Sequence, residues 1–429
     1  MNIPRQLNPR LADLPRSATL AINERSLQLH SEGRDIARFG LGQSPFPVPP
    51  TVTEALRRNA HQKAYLPVEG LPELREAIGE YLHRTEGVDY PAGRIVVGPG
   101  TKELMFLLQL AGDADLLLPA PSWVSYAPQA GIAGRRVHWL PTHGEDELRL
   151  TPDAIEALCR DDPGHSRLLV LNYPGNPTGT SYSAAQLEDI AAAARRFGIV
   201  VLSDEIYSGL NFEGNHVSIA RFYPEGTIVS NGLSKWCGAG GWRLGAFAFP
   251  AELDWLRNAI LAAASETFSA VSAPVQYAAI TAFRGNDDID DYLRRSRRVL
   301  KALMTWCADR LREAGAVVPE PQGAFYLLPH FGDACPRFAR TGRPATAADL
   351  CRRILDDTGV AVLPGNDFGL APEALFVRLA AVDFDGAEAL SAVAELPAEV
   401  AIDEDFLRSH CARTAAGIDR LCQWFEDPR

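Results

Sequence analysis

Short apolar runs alternate with amphipathic stretches over the first two thirds of the chain. Stretches with apolar residues at helical spacing occur at 51–62, 71–84, 102–111 and 183–196. The apolar runs are RIVVG (94–98), DLLLPA (115–120), RLLVLNY (167–173), GIVVLSD (198–204), GTIVSN (226–231) and LGAFAF (244–249). Runs that are apolar throughout predict strands covered on both faces. Their alternation with helices predicts an α/β fold with a mostly parallel sheet between helices.

The pattern changes after about residue 290. A long helical stretch (290–314) is followed by short apolar runs mixed with further helical stretches. This mixture predicts a second, smaller α+β domain. We therefore expect a large domain over 51–295 and a small C-terminal domain over 296–429. The segment 1–50 lacks neighbouring strands in the sequence, so we expect it to pack with the small domain or with a partner subunit.

Polar residues follow three of the predicted strands. The runs continue as RLLVLNYPGNPTG, GIVVLSDEIY and GTIVSNGLSK. Ligands of open parallel sheets bind beyond the carboxyl ends of the strands. Asn176, Asp204, Tyr207 and Lys235 all lie at such ends, so we expect them to meet in one site.

Lys235 and Asp204 suggest the chemistry of that site. Most lysines are solvated surface residues, but the neighbours of Lys235 are small or apolar. A desolvated lysine is a nucleophilic amine and forms Schiff bases with carbonyl compounds. Asp204 is either a cap or turn residue or, since it follows IVVLS, a poorly solvated carboxylate that needs a cation. A reactive lysine and a carboxylate facing a pyridinium are what pyridoxal phosphate (PLP) requires.

Further residues suit the other groups of such a cofactor. In VVGPGTKEL (96–104), a strand, a Gly-Pro-Gly turn and a helix start place amides and a hydroxyl for a phosphate. The candidates there are Gly100, Thr101 and Lys102, with Arg243 as a bidentate cation. Asn176 and Tyr207 are candidate donors to the phenolic oxygen. Trp123 is either a core residue or the face on which the ring stacks.

Composition narrows the class of protein. The net charge is −12, from 42 basic and 54 acidic residues. This balance argues against nucleic acid or an anionic membrane as a partner. No apolar run is long enough to span a membrane, and the N-terminus has no secretory signal pattern. The seven cysteines are irregularly spaced, which favours neither a zinc site nor a disulfide framework and fits the cytoplasm.

The motifs resemble those of the class I/II aminotransferases, the fold-type I PLP enzymes that include aspartate aminotransferases. NYPGNPTG, SDEIY and SNGLSKWCGAGGWRLG carry the resemblance most specifically, and weaker matches extend it from about Gly33 to Ala380. The resemblance implies that Lys235 forms the internal aldimine and moves the substrate proton. It implies Asp204 at the pyridine nitrogen, Tyr207 and Asn176 at the phenolic oxygen, and Trp123 on the ring. The residues that it places around the phosphate are Gly100, Thr101, Lys102 and Arg243.

The resemblance also implies a homodimer with a shared active site. Tyr65 would reach the phosphate in the neighbouring subunit. Arg378 in FVRLA would bind the substrate α-carboxylate, with Gly42 lining the same pocket. Many members have a serine three residues before the lysine, where this chain has Gly232. Ser230 and Ser234 are the candidate replacements, or the phosphate has one ligand fewer.

The implied reaction is ping-pong transfer of an amino group between an L-amino acid and a 2-oxo acid. The alternatives are a β-eliminating C–S lyase or another PLP lyase and, third, a non-catalytic PLP-binding sensor. The stretch AAASETFSAVSAP (262–274) contains no Arg or Lys, only Glu266. It therefore disfavours a strict aspartate enzyme that would use this stretch to bind the distal carboxylate.

Overall fold

The structure is a computed structural model that describes residues 7–12, 14–144, 147–332 and 335–427. Its helices, α1 to α15 in chain order, are Ala18–Ser31, Pro50–Asn59, Pro72–Glu86, Thr101–Ala111, Tyr126–Ala133, Pro152–Cys159, Ala184–Arg196, Asp254–Ser265, Ala273–Arg284, Asp287–Glu313, Pro336–Thr341, Ala347–Thr358, Gly386–Ala394, Glu404–His410 and Ala412–Glu426. Its strands, β1 to β12, are Ala37–Arg38, Ile95–Gly98, Asp115–Ala120, Val137–Pro141, Arg167–Asn172, Val200–Asp204, Thr227–Gly232, Gly245–Ala248, Tyr326–Leu327, Val360–Ala361, Leu363–Pro364 and Val377–Ala380.

The central sheet has seven strands in the order β2-β8-β7-β6-β5-β3-β4. Strand β8 is antiparallel to both of its neighbours, and the remaining pairs are parallel. The predicted mostly parallel sheet is therefore confirmed. Each of the six apolar runs contains a strand, whereas the edge strand β4 was not predicted. Its residues are mostly partly exposed, including Trp139 at 40%, so it lacks the continuous apolar pattern.

Helices cover both faces of this sheet. Alternate residues of β6 illustrate the division, since Leu202 packs in the core beneath α4 and α8 and Val201 packs in the core beneath α7. Both side chains are almost fully buried. Burial on the two faces is the physical reason that the strands are apolar throughout.

The C-terminal part adds a smaller sheet. Strand β12 lies between β11 and β9 and is antiparallel to both. Strand β1 from the N-terminal segment pairs in parallel with β10, Ala37 opposite Val360. The division into domains at residues 50 and 295 stays a prediction. In the described part of the chain, no helix combines the length and apolarity needed to cross a membrane.

The register of the large sheet brings three strand ends to one edge. Asn172 at the end of β5 lies opposite Asp204 at the end of β6, and Asp204 lies opposite Ser230 near the end of β7. The loops that carry Asn176, Tyr207 and Lys235 begin at this edge.

Candidate active site

A cavity of about 410 Å³ opens at this edge of the sheet. It is lined by most of the residues that the sequence predicted for the site, which are Gly42, Thr101, Lys102, Trp123, Asn176, Asp204, Tyr207, Ser234, Lys235, Arg243 and Arg378. These residues come from strand ends of the large sheet and the loops beside them, from the start of α4, from β12 of the smaller sheet and, for Gly42, from the loop after β1. Residues far apart in the sequence therefore meet around one space.

Lys235 follows β7 and is partly buried. Its Nζ donates a hydrogen bond of 2.6 Å to the carbonyl oxygen of Gly42. The same atom lies 5.5 Å from the ring centre of Tyr207 and 5.7 Å from that of Phe325. The amine is thus held between aromatic rings by one backbone acceptor.

Asp204 is the last residue of β6 and is 3% exposed. The Tyr126 hydroxyl donates a hydrogen bond of 2.5 Å to its Oδ2, and the Ser230 hydroxyl lies 3.4 Å from its Oδ1. Burial raises the pKa of Asp204 to about 6, although these hydrogen bonds oppose the shift. Both partners are neutral hydroxyls, so among the described residues the carboxylate has no cation within ion-pair distance. This geometry suits a cationic group of a ligand.

Tyr207 is buried beside Lys235. Its hydroxyl lies 2.8 Å from the hydroxyl of Tyr326, and burial together with Tyr326 holds the pKa of Tyr207 well above its usual range. The Tyr326 hydroxyl is also 3.5 Å from the Gly42 carbonyl oxygen. A Cβ at Gly42 would overlap the Tyr326 ring, so only glycine permits this close approach.

One end of the cavity is suited to a phosphate. Thr101 begins α4, whose first amides have no partners within the helix. Gly100 has a φ of 85°, and a Cβ there would overlap the Arg243 guanidinium. The Lys102 Nζ lies 5.3 Å from the Trp123 ring centre, and burial together with Arg243 lowers the pKa of Lys102. Two cations and a helix start therefore converge here.

The structure gives a reason for the glycine at position 232. A Cβ at Gly232 would lie 2.9 Å from the carbonyl oxygen of Leu244 and 3.0 Å from the Cα of Gly245. These are backbone atoms of the neighbouring strand, so a serine does not fit without moving β8. Of the two candidate replacements, Ser234 lines the cavity, whereas Ser230 bonds to Asp204.

Arg378 adds a buried cation to the lining of the cavity. It is fully buried, its Nη2 donates a hydrogen bond of 2.6 Å to the Gly40 carbonyl, and its guanidinium lies 5.0 Å from the Tyr326 ring centre. Burial lowers the pKa of Arg378. Among the described residues, its Nε and Nη1 and the Oδ1 of Asn176 are buried without hydrogen-bond partners. The two unpaired donors of Arg378 fit an anionic group of a bound ligand such as PLP with its substrate, whereas the Asn176 oxygen accepts and fits a donor.

Tyr65 lies apart from the other predicted residues. It is 94% exposed and does not line the cavity. Its predicted contact is with a second subunit and stays a prediction.

Several lining residues were not predicted. Tyr126 lies three residues after Trp123, a spacing that was a usable signal, and Tyr326 lies in PQGAFYLLP (321–329), one of the weaker matches to the family. Four further lining residues were not predicted, which are Thr19, Leu20, Leu41 and Gln43. Thr19 and Leu20 come from α1, where no motif was recognised, whereas Leu41 and Gln43 flank the predicted Gly42 in the loop after β1.

The fold and the cavity define a PLP-dependent enzyme of fold type I. The chain belongs to the aminotransferase class I and II family, whose match covers residues 34–392. It is therefore a PLP-dependent transaminase. The predicted resemblance, fold class, cofactor and reaction class are confirmed.

Named relatives cover most of the chain. It is 33% identical over 380 residues to an aspartate aminotransferase of Bacillus sp. (strain YM-2), covering 86% of this chain and 94% of that one. It is 33% identical over 383 residues to an asparagine–oxo-acid transaminase of Streptococcus mutans, covering 86% and 93%. Among solved structures, aspartate aminotransferase from Thermus thermophilus with maleate has a TM-score of 0.82 at 28% identity, covering 98% of this chain and 100% of that one.

Proposed function

We propose that Lys235 is the catalytic lysine of this aminotransferase and that Asp204 holds the cofactor's ring nitrogen. The observation that carries the proposal is the convergence of an amine, a buried carboxylate with only neutral partners, and a buried arginine with free donors around one cavity. The reaction moves an amino group between an L-amino acid and a 2-oxo acid.

The remaining residues hold the other parts of the cofactor. Asn176 and Tyr207 bind the phenolic oxygen, and Trp123 lies against the ring. The residues for the phosphate are Gly100, Thr101, Lys102, Ser234 and Arg243. When bound, PLP supplies an aldehyde carbon for the amine and a ring that accepts electron density from the substrate α-carbon.

The protein residues position the substrate and move its proton. Arg378 binds the α-carboxylate with donors that otherwise lack partners, and Gly42 leaves room beside it. The Nζ of Lys235 takes the proton from the substrate α-carbon and delivers it to the carbon that PLP supplies as its aldehyde. The Gly42 carbonyl, 2.6 Å from Nζ, orients the amine, and the rings of Tyr207 and Phe325 exclude water from it.

The proposal also covers the oligomeric state and the cellular location of the enzyme. Tyr65, 94% exposed, would reach the phosphate of a partner subunit, which makes the enzyme a homodimer with shared sites. All seven cysteines are free and buried, which supports a cytoplasmic location. The relatives named above act on aspartate or asparagine, so these two amino acids are the first donors to test.

The test is a half-reaction followed by visible absorption. Purified protein is saturated with PLP and treated with aspartate or asparagine alone. We expect the visible band to disappear with release of one 2-oxo acid per site, and to return when a 2-oxo acid is added. In a parallel assay with cystathionine as the only substrate, release of a thiol with pyruvate and ammonia would instead indicate β-elimination. Failure to bind PLP would overturn the proposal.

A matched control uses a second lysine. Lys301 is exposed and paired with Glu213 at 2.6 Å. Lys301→Ala should retain the half-reaction, whereas Lys235→Ala should lose it.

A further inference from the structure

We propose that Tyr126 is a positioning residue that keeps Asp204 ionised and thereby sets how tightly the chain holds PLP at neutral pH. The inference rests on the proposed role of Asp204. It concerns a side chain that lines the cavity but has no role in the proposal above.

The geometry places the Tyr126 hydroxyl directly on the carboxylate. Tyr126 begins α5 and is 1% exposed. Its hydroxyl is 2.5 Å from Asp204 Oδ2, and the Trp123 ring packs edge-on against it with centres 5.2 Å apart. Because the ring is enclosed, the hydroxyl has one fixed direction, toward Asp204.

The groups facing Asp204 from the other elements are weaker partners. Ser230 on β7 is 3.4 Å away, and the backbone amide of Ile206 also donates to the carboxylate. Lys235 contributes a more distant positive charge, and Tyr207 is a neutral neighbour whose pKa is raised by burial, by Tyr326 and by the Asp204 charge. Tyr126 therefore makes the short side-chain hydrogen bond to this carboxylate.

This hydrogen bond opposes the effect of burial. Burial raises the pKa of Asp204 to about 6, and the bond from Tyr126 is the first of the interactions that lower it. Burial and the Asp204 charge hold the pKa of Tyr126 well above its usual range, so the hydroxyl remains a donor. Without it, the pKa of Asp204 rises toward neutrality and a fraction of the carboxyl groups is protonated. A protonated carboxyl no longer forms an ion pair with a protonated ring nitrogen.

The test measures PLP affinity rather than turnover. Wild type, Tyr126→Phe and Tyr90→Phe are titrated with PLP by equilibrium dialysis between about pH 6 and about pH 9, the range that brackets the expected shift. Tyr90 is the matched control, since it is buried and donates a hydrogen bond of 2.9 Å to the Thr227 carbonyl. Thermal unfolding shows that each variant is folded.

We expect Tyr126→Phe to bind PLP about tenfold more weakly than wild type at the acid end of this range, and within about threefold at the alkaline end. Tyr90→Phe should follow the wild type at every pH. In an Asp204→Asn background, adding Tyr126→Phe should cause no further pH-dependent loss, because no carboxylate remains to titrate.

The outcomes separate the inference from the proposed function. An equal loss at every pH would show a merely structural role for Tyr126 and overturn the inference. Unchanged affinity would overturn it as well. Wild-type protein that binds no PLP at any pH would instead overturn the proposed function.

Discussion

Asp204 and Glu205 are adjacent in the chain, yet the structure gives them different surroundings. Both carboxylates are almost fully buried, at 3% and 0% exposure. Asp204 borders the cavity and is held by two neutral hydroxyls. Glu205 faces the other side of the sheet, where the hydroxyls of Ser203 and Ser218 donate to its Oε1. His216 Nε2 lies 3.1 Å from its Oε2.

The second environment, formed by Glu86, Glu205 and His216, contains its own cation. His216 Nε2 also lies 3.5 Å from Glu86 Oε2. Burial alone lowers the pKa of His216, but the two carboxylates outweigh it and raise that pKa. A buried carboxylate requires a cationic partner. Glu205 has one within the protein, whereas Asp204 has none among the described residues, and in the proposed function the cofactor's ring nitrogen takes that place.

The largest expected effect comes from a substitution in the cavity that Asp204 borders. Lys235→Ala removes the proposed nucleophile and proton carrier, so we expect kcat to fall by at least about 10⁴-fold. Thermal unfolding of the PLP-free protein should change little, because Lys235 is only partly buried. Steady-state kinetics and a melting curve measure both. A variant that keeps a tenth of the activity would exclude Lys235 as the catalytic residue.

His216→Ala should lower the stability of the protein without affecting the cavity, whereas Lys235→Ala should do the reverse. His216→Ala removes the cationic partner of two buried acidic groups, Glu86 and Glu205, so we expect the free energy of unfolding to fall by about 3–5 kcal/mol. Urea unfolding of the PLP-free protein at neutral pH measures this loss. The folded fraction should bind PLP as the wild type does. Reduced PLP affinity at unchanged stability would show that the two environments are not separate.

Arg378→Lys tests the substrate side of the cavity. A lysine keeps the charge but lacks the planar set of donors, so we expect KM for the amino donor to rise about 100-fold. PLP affinity should stay near the wild-type value, since Arg378 is placed on the substrate. A change in PLP affinity with KM unchanged would contradict this assignment.

Glu86→Gln tests the pH dependence of the closed environment. Burial raises the pKa of Glu86 to about 7 from 4.5. Because the folded state keeps this proton in a range where the unfolded chain has released it, the free energy of unfolding falls as pH rises between those values. The slope is up to about 1.4 kcal/mol per pH unit for one proton. Urea unfolding across this range should show a shallower slope for the variant, and an unchanged slope would refute the assignment.

Tyr326→Phe should have the smallest effect. It removes the hydrogen bond to Tyr207 and the weaker one to the Gly42 carbonyl, while the ring remains against Arg378. We expect kcat/KM to fall by about tenfold or less. Steady-state kinetics beside Tyr90→Phe would measure it, and a loss as large as that of Lys235→Ala would mean that Tyr326 itself carries out a chemical step.

Local sequence patterns were sufficient to predict the strands buried on both faces and many of the residues that line the cavity. Strands buried on both faces are apolar throughout, so their positions are visible without the structure. The carboxyl ends of parallel strands meet at one edge, so the polar residues after β5, β6 and β7 were correctly expected around one cavity. Edge strand β4 was missed because partly exposed residues lack that pattern.

Contacts between distant residues were decided only by the tertiary structure. Tyr126 and Asp204 are 78 positions apart, and Tyr207 and Tyr326 are 119 apart. Local periodicity in the sequence does not show that two side chains so far apart are in contact. The different partners of Asp204 and Glu205 also depend on what packs against each face of the sheet. A motif such as SDEIY supplies two acidic side chains, but the partners of each follow from the groups that the whole fold brings around it.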